Sequence, residues 1–196
     1  MTIRSINSND IRSLFRRHSQ LCSLHVYDAM HQITNQNIFE TFLKTFFSEI
    51  IQRPHQTIKT FVDFFVDFVK FYPRTFFLAI FISAIIDQEY LEDNQVQFIQ
   101  QFFSCTIESH LITPSQICDT CYSHKSANSK GLTTLFKILL NVIDASDLIT
   151  RKTFKLLFLL RRDNPTDFED MRIQMQHLNC PVITKSHIEL LSKSSR

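Results

Sequence analysis

The single glycine of this 196-residue chain, Gly131, is the feature that most restricts its fold. Glycine supplies positive φ angles and lets the backbone approach a ligand closely, and tight hairpins and phosphate-binding loops depend on it. A chain with one glycine contains neither a P-loop nor a dinucleotide-binding Gly-x-Gly-x-x-Gly motif. Twenty phenylalanines stand beside that glycine. We therefore predict an all-α protein, a single multi-helix bundle with no sheet, whose core is built largely from phenyl rings.

Composition and charge exclude several classes of function. A hydrophobic fraction of 44% with 20% charged residues is typical of a globular protein. A net charge of +2 gives no argument for a nucleic-acid partner. The longest apolar run, Thr75–Ile86, is shorter than the roughly 18–20 residues that a membrane span needs. The first residues lack an apolar signal segment and the five cysteines are irregularly spaced, so we expect reduced thiols and a cytoplasmic location.

Apolar residues recur with helical spacing along most of the chain, which predicts a bundle of eight to ten helices. The last thirty residues lack a regular apolar stripe, and we expect them to pack loosely. The predicted helices are a short one around Ile11–Phe15, Leu21–Ile33, Ile38–Ile50, Ile58–Val69, Thr75–Ile86, one that begins after Glu92, one that begins at Thr113-Pro114, Gly131–Asp144 and Thr150–Arg162.

Fifteen of the twenty phenylalanines lie between Phe39 and Phe103. An aromatic platform for a ligand is one interpretation of such a cluster. Core packing is the favoured interpretation, because many of the neighbours of these residues at i+3 and i+4 are aliphatic or aromatic. The core is predicted to include Phe42, Phe46, Phe65, Phe77, Ile80 and Phe103.

Four residues could be assembled into a zinc site: His110, Cys118, Cys121 and His124. The two cysteines, however, lie in a helix started by proline and lack the glycine turns of zinc knuckles, so buried thiols are the favoured interpretation. We predict no metal and no cofactor. A nucleophile elbow is excluded without its glycines, and no catalysis on small molecules is expected. Arg161-Arg162 is explained by the negative end of a helix dipole.

Three short strings carry a resemblance to a known family. They are Ser13-Leu-Phe15-Arg16-Arg17-His-Ser19, Phe42-Leu-Lys44-Thr-Phe-Phe-Ser48-Glu49-Ile-Ile51 and His110-Leu-Ile-Thr113-Pro-Ser-Gln116-Ile-Cys118. They resemble, in the same order, the Gly-Ile-Phe-Arg, Leu-Leu-Lys-x-Phe-Leu-Arg-Glu-Leu-Pro and Asn-Lys-Met-Thr-x-x-Asn-Leu-Ala strings of Rho GTPase-activating (RhoGAP) domains. The resemblance extends roughly from Ile11 to Asp144.

The resemblance implies a RhoGAP-like helical domain over residues 1–146, followed by a C-terminal helical extension over residues 147–196. Its partner would be a GTP-bound Rho-type small GTPase. Arg16 would be the catalytic arginine finger, inserted in trans to stabilise charge on the transferred phosphoryl group, an effect worth ~10³–10⁵ in rate. Lys44, Glu49 and Gln116 would bind the partner, and Arg17 would do so or replace Arg16 as the finger.

The chain also departs from the family pattern. Ser48 stands where the family has a second arginine, Gln116 stands where it has asparagine, and the glycines of the finger loop are absent. A catalytically inactive helical protein-interaction scaffold is therefore the alternative function. If the resemblance holds, Arg16, Lys44 and Gln116 are expected to converge on one exposed face.

Overall fold

The computed structural model describes residues 36–51, 55–71, 74–88, 90–125, 129–143 and 151–177. These residues form helices and the turns between them and contain no strand, which confirms the all-α prediction. The two helices predicted before Gln36 lie outside the described residues. The helices are α1 (Gln36–Ile50), α2 (His55–Phe71), α3 (Arg74–Ile86), α4 (Asp93–Glu108), α5 (Pro114–Ser123), α6 (Ser129–Leu139), α7 (Arg151–Asp163) and α8 (Pro165–His177).

The chain divides into two compact units, which we describe separately. Unit 1 comprises residues 1–84 and 91–102, and unit 2 comprises residues 85–90 and 103–196. Within the described residues, unit 1 contains α1, α2, most of α3 and the first part of α4, and unit 2 contains α5 to α8. In the part of the chain that the structure describes, no helix has the length and apolar character needed to span a membrane.

Phenyl rings fill the interior of unit 1. Phe65 of α2 has its ring centroid 4.7 Å from that of Phe46 on α1, 6.4 Å from Phe77 on α3 and 5.3 Å from Phe98 on α4. The six residues that were predicted to lie in the core are all buried, which confirms that prediction. Their exposed fractions do not exceed 4%: Phe42, Phe46, Phe65, Phe77, Ile80 and Phe103.

Side chains from the first turn of α4 satisfy the carbonyl groups at the end of α1. Gln95 is 1% exposed, and its Nε2 donates to the Phe47 carbonyl oxygen at 2.8 Å, while its Oε1 accepts from the Glu92 N–H at 2.8 Å. Asn94 Nδ2 donates to the Ile51 carbonyl oxygen at 3.0 Å. Since the last carbonyls of a helix have no partner within it, these bonds let α1 end against α4 without a glycine cap.

Unit 2 is organised around α7, which packs against α5, α6 and α8, while α8 also packs against α6. The expectation that the last thirty residues pack loosely is wrong for residues 167–177, since α8 buries one of its faces. The buried residues of α8 are Phe168, Met171 and Met175. Their spacing of three and four residues is helical, but polar residues surround them and weaken the sequence signal.

Gly131 lies in the first turns of α6, and there the backbone of Ile86 approaches it. A Cβ atom on residue 131 would lie 2.8 Å from the Ile86 Cα and closer still to the Ile86 carbonyl oxygen. Gly131 does not have a positive φ angle. The chain's one glycine is therefore needed for close backbone contact within unit 2 and not for a turn.

We expect Phe77→Ala to lower the free energy of unfolding by ~3–5 kcal/mol, because it opens a cavity among rings that have little room to collapse. Phe77 is 0% exposed, and its ring centroid lies 5.3 Å from that of Phe81 and 5.7 Å from that of Phe102. Urea denaturation measures the loss. Phe76→Ala is the control, since Phe76 directly precedes Phe77 in the chain and is only half-buried. A loss below about 1 kcal/mol for Phe77→Ala would contradict the described core.

Gly131→Ala is expected to destabilise the protein by about 1–3 kcal/mol, because the Ile86 backbone has to move away from the added methyl group. A loss of stability is informative, because without the Ile86 contact the replacement of a helix-interior glycine by alanine would stabilise the protein by about 1 kcal/mol. The half-buried Thr134, later in α6, provides the control Thr134→Ala. Thermal unfolding of both variants tests the contact, and a stabilised Gly131→Ala protein would exclude it.

Candidate functional site

The residues predicted to contact a GTPase are distributed over different parts of the chain. Arg16 and Arg17 lie outside the described residues. Lys44 lies on α1 and is exposed, and Glu49 is in the last turn of the same helix. Ser48 is exposed, and its hydroxyl donates to the Thr45 carbonyl oxygen at 2.8 Å. This part of α1 thus buries its phenylalanines and presents Lys44 to solvent.

Gln116 has a structural role at the start of α5. Its Oε1 accepts from the Thr113 backbone N–H at 2.9 Å, and its own backbone N–H donates to Thr113 Oγ1 at 3.3 Å. Together with Pro114 in the first turn, this reciprocal pair forms a capping box that satisfies two backbone donors at the helix start. The predicted start of α5 at Thr113-Pro114 is confirmed.

Only the oxygen of the Gln116 side-chain amide takes part in the capping box. The Oε1 atom is committed to Thr113, so Nε2 is the part of the half-buried amide that remains for a partner. Lys44 belongs to unit 1 and Gln116 to unit 2, and Arg16 is outside the described residues. The expected convergence of the three residues therefore stays a prediction.

The cysteines of α5 are core residues. Cys118 and Cys121 are both 0% exposed, which confirms the interpretation as buried thiols. Burial raises the pKa of the Cys118 thiol, although a hydrogen bond with Thr153 acts in the opposite direction. Burial raises the pKa of Cys121 well above its usual range, and the neighbouring Cys118 adds to the effect. Because both thiols are neutral at pH 7, neither is suited to nucleophilic attack.

The two histidines of the candidate zinc set serve the ends of helices. His124 ends α5, and its Nδ1 lies 2.9 Å from the Thr120 carbonyl oxygen. His110 has a φ angle of 55° where the chain turns after α4, a backbone conformation that histidine adopts more readily than most residues. Among the described residues, no group of three or more His, Cys, Asp and Glu side chains is arranged to hold a metal ion.

A cavity of about 650 Å³ in unit 2 was not anticipated from the sequence. We call it the basic pocket. The described residues that line it come from α5, α7 and the start of α8: Tyr122, Lys155, Phe158, Leu159, Arg161, Arg162 and Pro165. On α7, Lys155, Phe158, Leu159 and Arg162 follow the i, i+3, i+4, i+7 spacing of one helix face. The buried residues of α7 lie on the opposite face: Thr153, Leu156, Leu157 and Leu160.

Positive charge predominates in the basic pocket. Among the described lining residues, three are cations and none is an acid. A fourth cation, Lys125, has its Nζ 4.2 Å from the Tyr122 ring centroid, which is a cation–π contact. Among the described residues, Asp163 and Glu169 bring negative charge close to these cations. Asp163 Oδ1 accepts from Arg162 Nε at 2.8 Å. Glu169 is hydrogen-bonded to Arg172, and its pKa is lowered mainly by that bond and to a smaller degree by Arg161.

Comparisons with protein-family models, with curated protein sequences and with solved structures find no match to this chain. The resemblance to RhoGAP domains rests on the strings quoted above.

Thr113→Ala is expected to lower the free energy of unfolding by about 0.5–2 kcal/mol, because it removes the side-chain cap of α5. Gln116→Glu is expected to be neutral or stabilising, since glutamate completes a capping box and suits the positive end of the helix. Ser115→Ala, an exposed position in the same turn, is the control. Chemical denaturation compares them, and equal stability of the Thr113→Ala and Ser115→Ala proteins would argue against the capping box.

Proposed function

We propose that this chain is a helical domain that binds a GTP-bound Rho-type small GTPase and supplies Arg16 as an arginine finger. One observation within the described residues carries the proposal. The string that resembles the lysine-containing helix of RhoGAP domains forms α1, which buries Phe42, Leu43 and Phe46 and exposes Lys44. A lysine that contacts a partner needs this arrangement, in which the apolar residues anchor the helix and the cation stays accessible.

The mechanism assigned to Arg16 is electrostatic. Negative charge builds on the oxygens of the γ-phosphoryl group as the bond to the leaving phosphate breaks, and a small GTPase by itself stabilises that charge poorly. A guanidinium group placed there donates hydrogen bonds and carries a fixed positive charge. Because the interaction forms mainly in the transition state, it accelerates hydrolysis without a large contribution to binding.

A second candidate function is the inactive helical protein-interaction scaffold. Two positions of the family pattern carry side chains that bond within their own helices: Ser48 donates to the Thr45 carbonyl, and Gln116 holds the cap of α5. A serine in place of arginine also removes one cation from the surface that would face the GTPase. These observations favour binding without catalysis.

The deciding experiment uses the full chain and a panel of Rho-type GTPases. We expect Arg16→Ala to abolish stimulation of single-turnover GTP hydrolysis and to leave binding to the GTP-analogue complex within about threefold of wild type. Arg16→Lys is expected to fail nearly as completely, because an ammonium group does not reproduce the guanidinium fork. Arg12→Ala is the control for loss of one nearby charge, and Arg17→Ala tests the neighbouring arginine.

The outcomes separate the two functions. Loss of stimulation in Arg16→Ala alone supports the activator, and tight binding with no stimulation by the wild type supports the scaffold. A Ser48→Arg, Gln116→Asn double variant tests whether family residues raise activity. The stability of this double variant has to be measured in parallel, because asparagine at position 116 is too short to complete the capping box. A wild-type chain that neither binds nor stimulates any member of the panel contradicts the GTPase proposal.

A further inference from the structure

We infer that the basic pocket binds a phosphate monoester whose organic part is a flat ring. None of its lining residues is used in the GTPase proposal, so the two stand on separate observations. The cavity of about 650 Å³ lies within the 300–1,000 Å³ range of pockets that bind small organic molecules. Its chemistry, three cations beside two aromatic rings, indicates what kind of molecule it suits.

The cations select a doubly charged anion. Lys155, Arg161 and Arg162 line the cavity, and Arg162 forms an ion pair with the adjacent Asp163. That bond uses the Nε–H of Arg162, so its two Nη groups remain to donate to a ligand. Arginine donates two parallel hydrogen bonds to phosphate, and a dianion compensates more of this charge than a carboxylate does.

The helix ends around the pocket act in opposite directions. Pro165 begins α8, whose positive dipole end favours an anion, and α7 ends at Asp163, whose negative dipole end opposes one. Both effects fall off within a turn, so the charged side chains contribute most of the local field. Among the described residues named here, the cations Lys125, Lys155, Arg161 and Arg162 outnumber the acids Asp163 and Glu169.

The aromatic residues select the organic part. Phe158 is 41% exposed, although it is a large apolar residue on a helix that buries Leu156 and Leu160 on its other face. Tyr122 lies across from α7 on α5, with Lys125 over its ring. A flat ring placed against Phe158 and Leu159 would remove apolar surface from water and add ring–ring contact with an aromatic wall.

The C-terminal residues of the chain are poor candidates for this pocket. Residues 178–196 contain Lys185, Lys193 and Arg196 against the single acid Glu189, a net charge of +2. Their charge has the same sign as that of the pocket. A separate anionic ligand fits the electrostatics better.

The inference is tested with the full chain and phenyl phosphate as the probe, by isothermal titration calorimetry and by amide shifts of α5 and α7 in NMR spectra. Inorganic phosphate lacks the ring, benzoate carries one charge, and phenol carries none. We expect phenyl phosphate to bind at least about 10-fold more tightly than each of the three, because only it engages both the cations and the rings.

Variants separate the two kinds of contact. Lys155→Ala and Arg162→Ala are each expected to weaken phenyl phosphate binding about 3- to 10-fold. Phe158→Ala is expected to weaken phenyl phosphate and to leave inorganic phosphate unchanged. The matched control is Lys70→Ala, which removes an exposed cation of unit 1 that pairs with Asp67 at 2.6 Å. Circular dichroism and thermal unfolding show whether each variant remains folded.

Two sources of this chemistry are distinguished by a second pair of probes, adenosine monophosphate and N-acetyl phosphotyrosine amide. Tighter binding of the first supports a free nucleotide, and tighter binding of the second supports a phosphorylated side chain of a protein. The inference is overturned if phenyl phosphate shows no saturable binding up to about 10 mM, if inorganic phosphate binds equally well, or if Lys70→Ala weakens binding as much as Lys155→Ala does.

Discussion

The packing of phenyl rings is the interaction on which unit 1 depends. The Phe65 ring meets rings from α1, α3 and α4, including Phe46 at 4.7 Å and Phe81 at 6.2 Å between centroids. A phenyl side chain buries a large apolar area and has only two torsion angles to fix, so its burial is opposed by little conformational entropy. Because interiors are close-packed, each ring is positioned by the rings around it. This network holds together helices from separate parts of the chain, and the described residues contain no cluster of metal ligands and no disulfide.

The scarcity of glycine determines how the helices end. Many helices end in a glycine with positive φ. Here α4 is followed by His110 at a φ angle of 55°, a conformation that costs a non-glycine residue roughly 1–2 kcal/mol. The end of α1 relies on Gln95 and Asn94 of α4. Replacing local glycine caps with long-range side-chain bonds links the end of one helix to the start of another, so secondary and tertiary structure in unit 1 depend on each other.

Periodicity and capping signals predicted the helices from α1 to α7 and the burial of the core phenylalanines, because these features are local in sequence. The start of α5 was predictable from Thr113-Pro114 for the same reason. Helix α8 was not predicted as a separate packed element of the C-terminal extension, since Phe168, Met171 and Met175 form a sparse stripe that is recognisable only with α6 and α7 beside it. The sequence likewise placed Gly131 in a helix but gave no sign that the Ile86 backbone lies against it. The basic pocket was not predicted because it requires Tyr122 to lie beside α7, which follows about 33 residues later in the chain. Arg161-Arg162 alone is adequately explained by a helix dipole. The predicted GTPase-binding residues stay predictions.

Helix α7 connects the interior of unit 2 to the basic pocket, because its two faces have different tasks. Leu156, Leu157 and Leu160 are buried, and Thr153 reaches the buried Cys118 of α5. These contacts fix the distance between α5 and α7, and with it the separation of Tyr122 from Phe158.

A single exposed phenylalanine is ordinary on a protein surface. Phe158 differs from that ordinary case because it lines a cavity together with three cations. Burial of the leucine face requires only that the other face be soluble, and polar residues throughout would satisfy that requirement. The aromatic and basic side chains there exceed what folding of unit 2 demands, and their common position is accounted for by a ligand that is both flat and negatively charged.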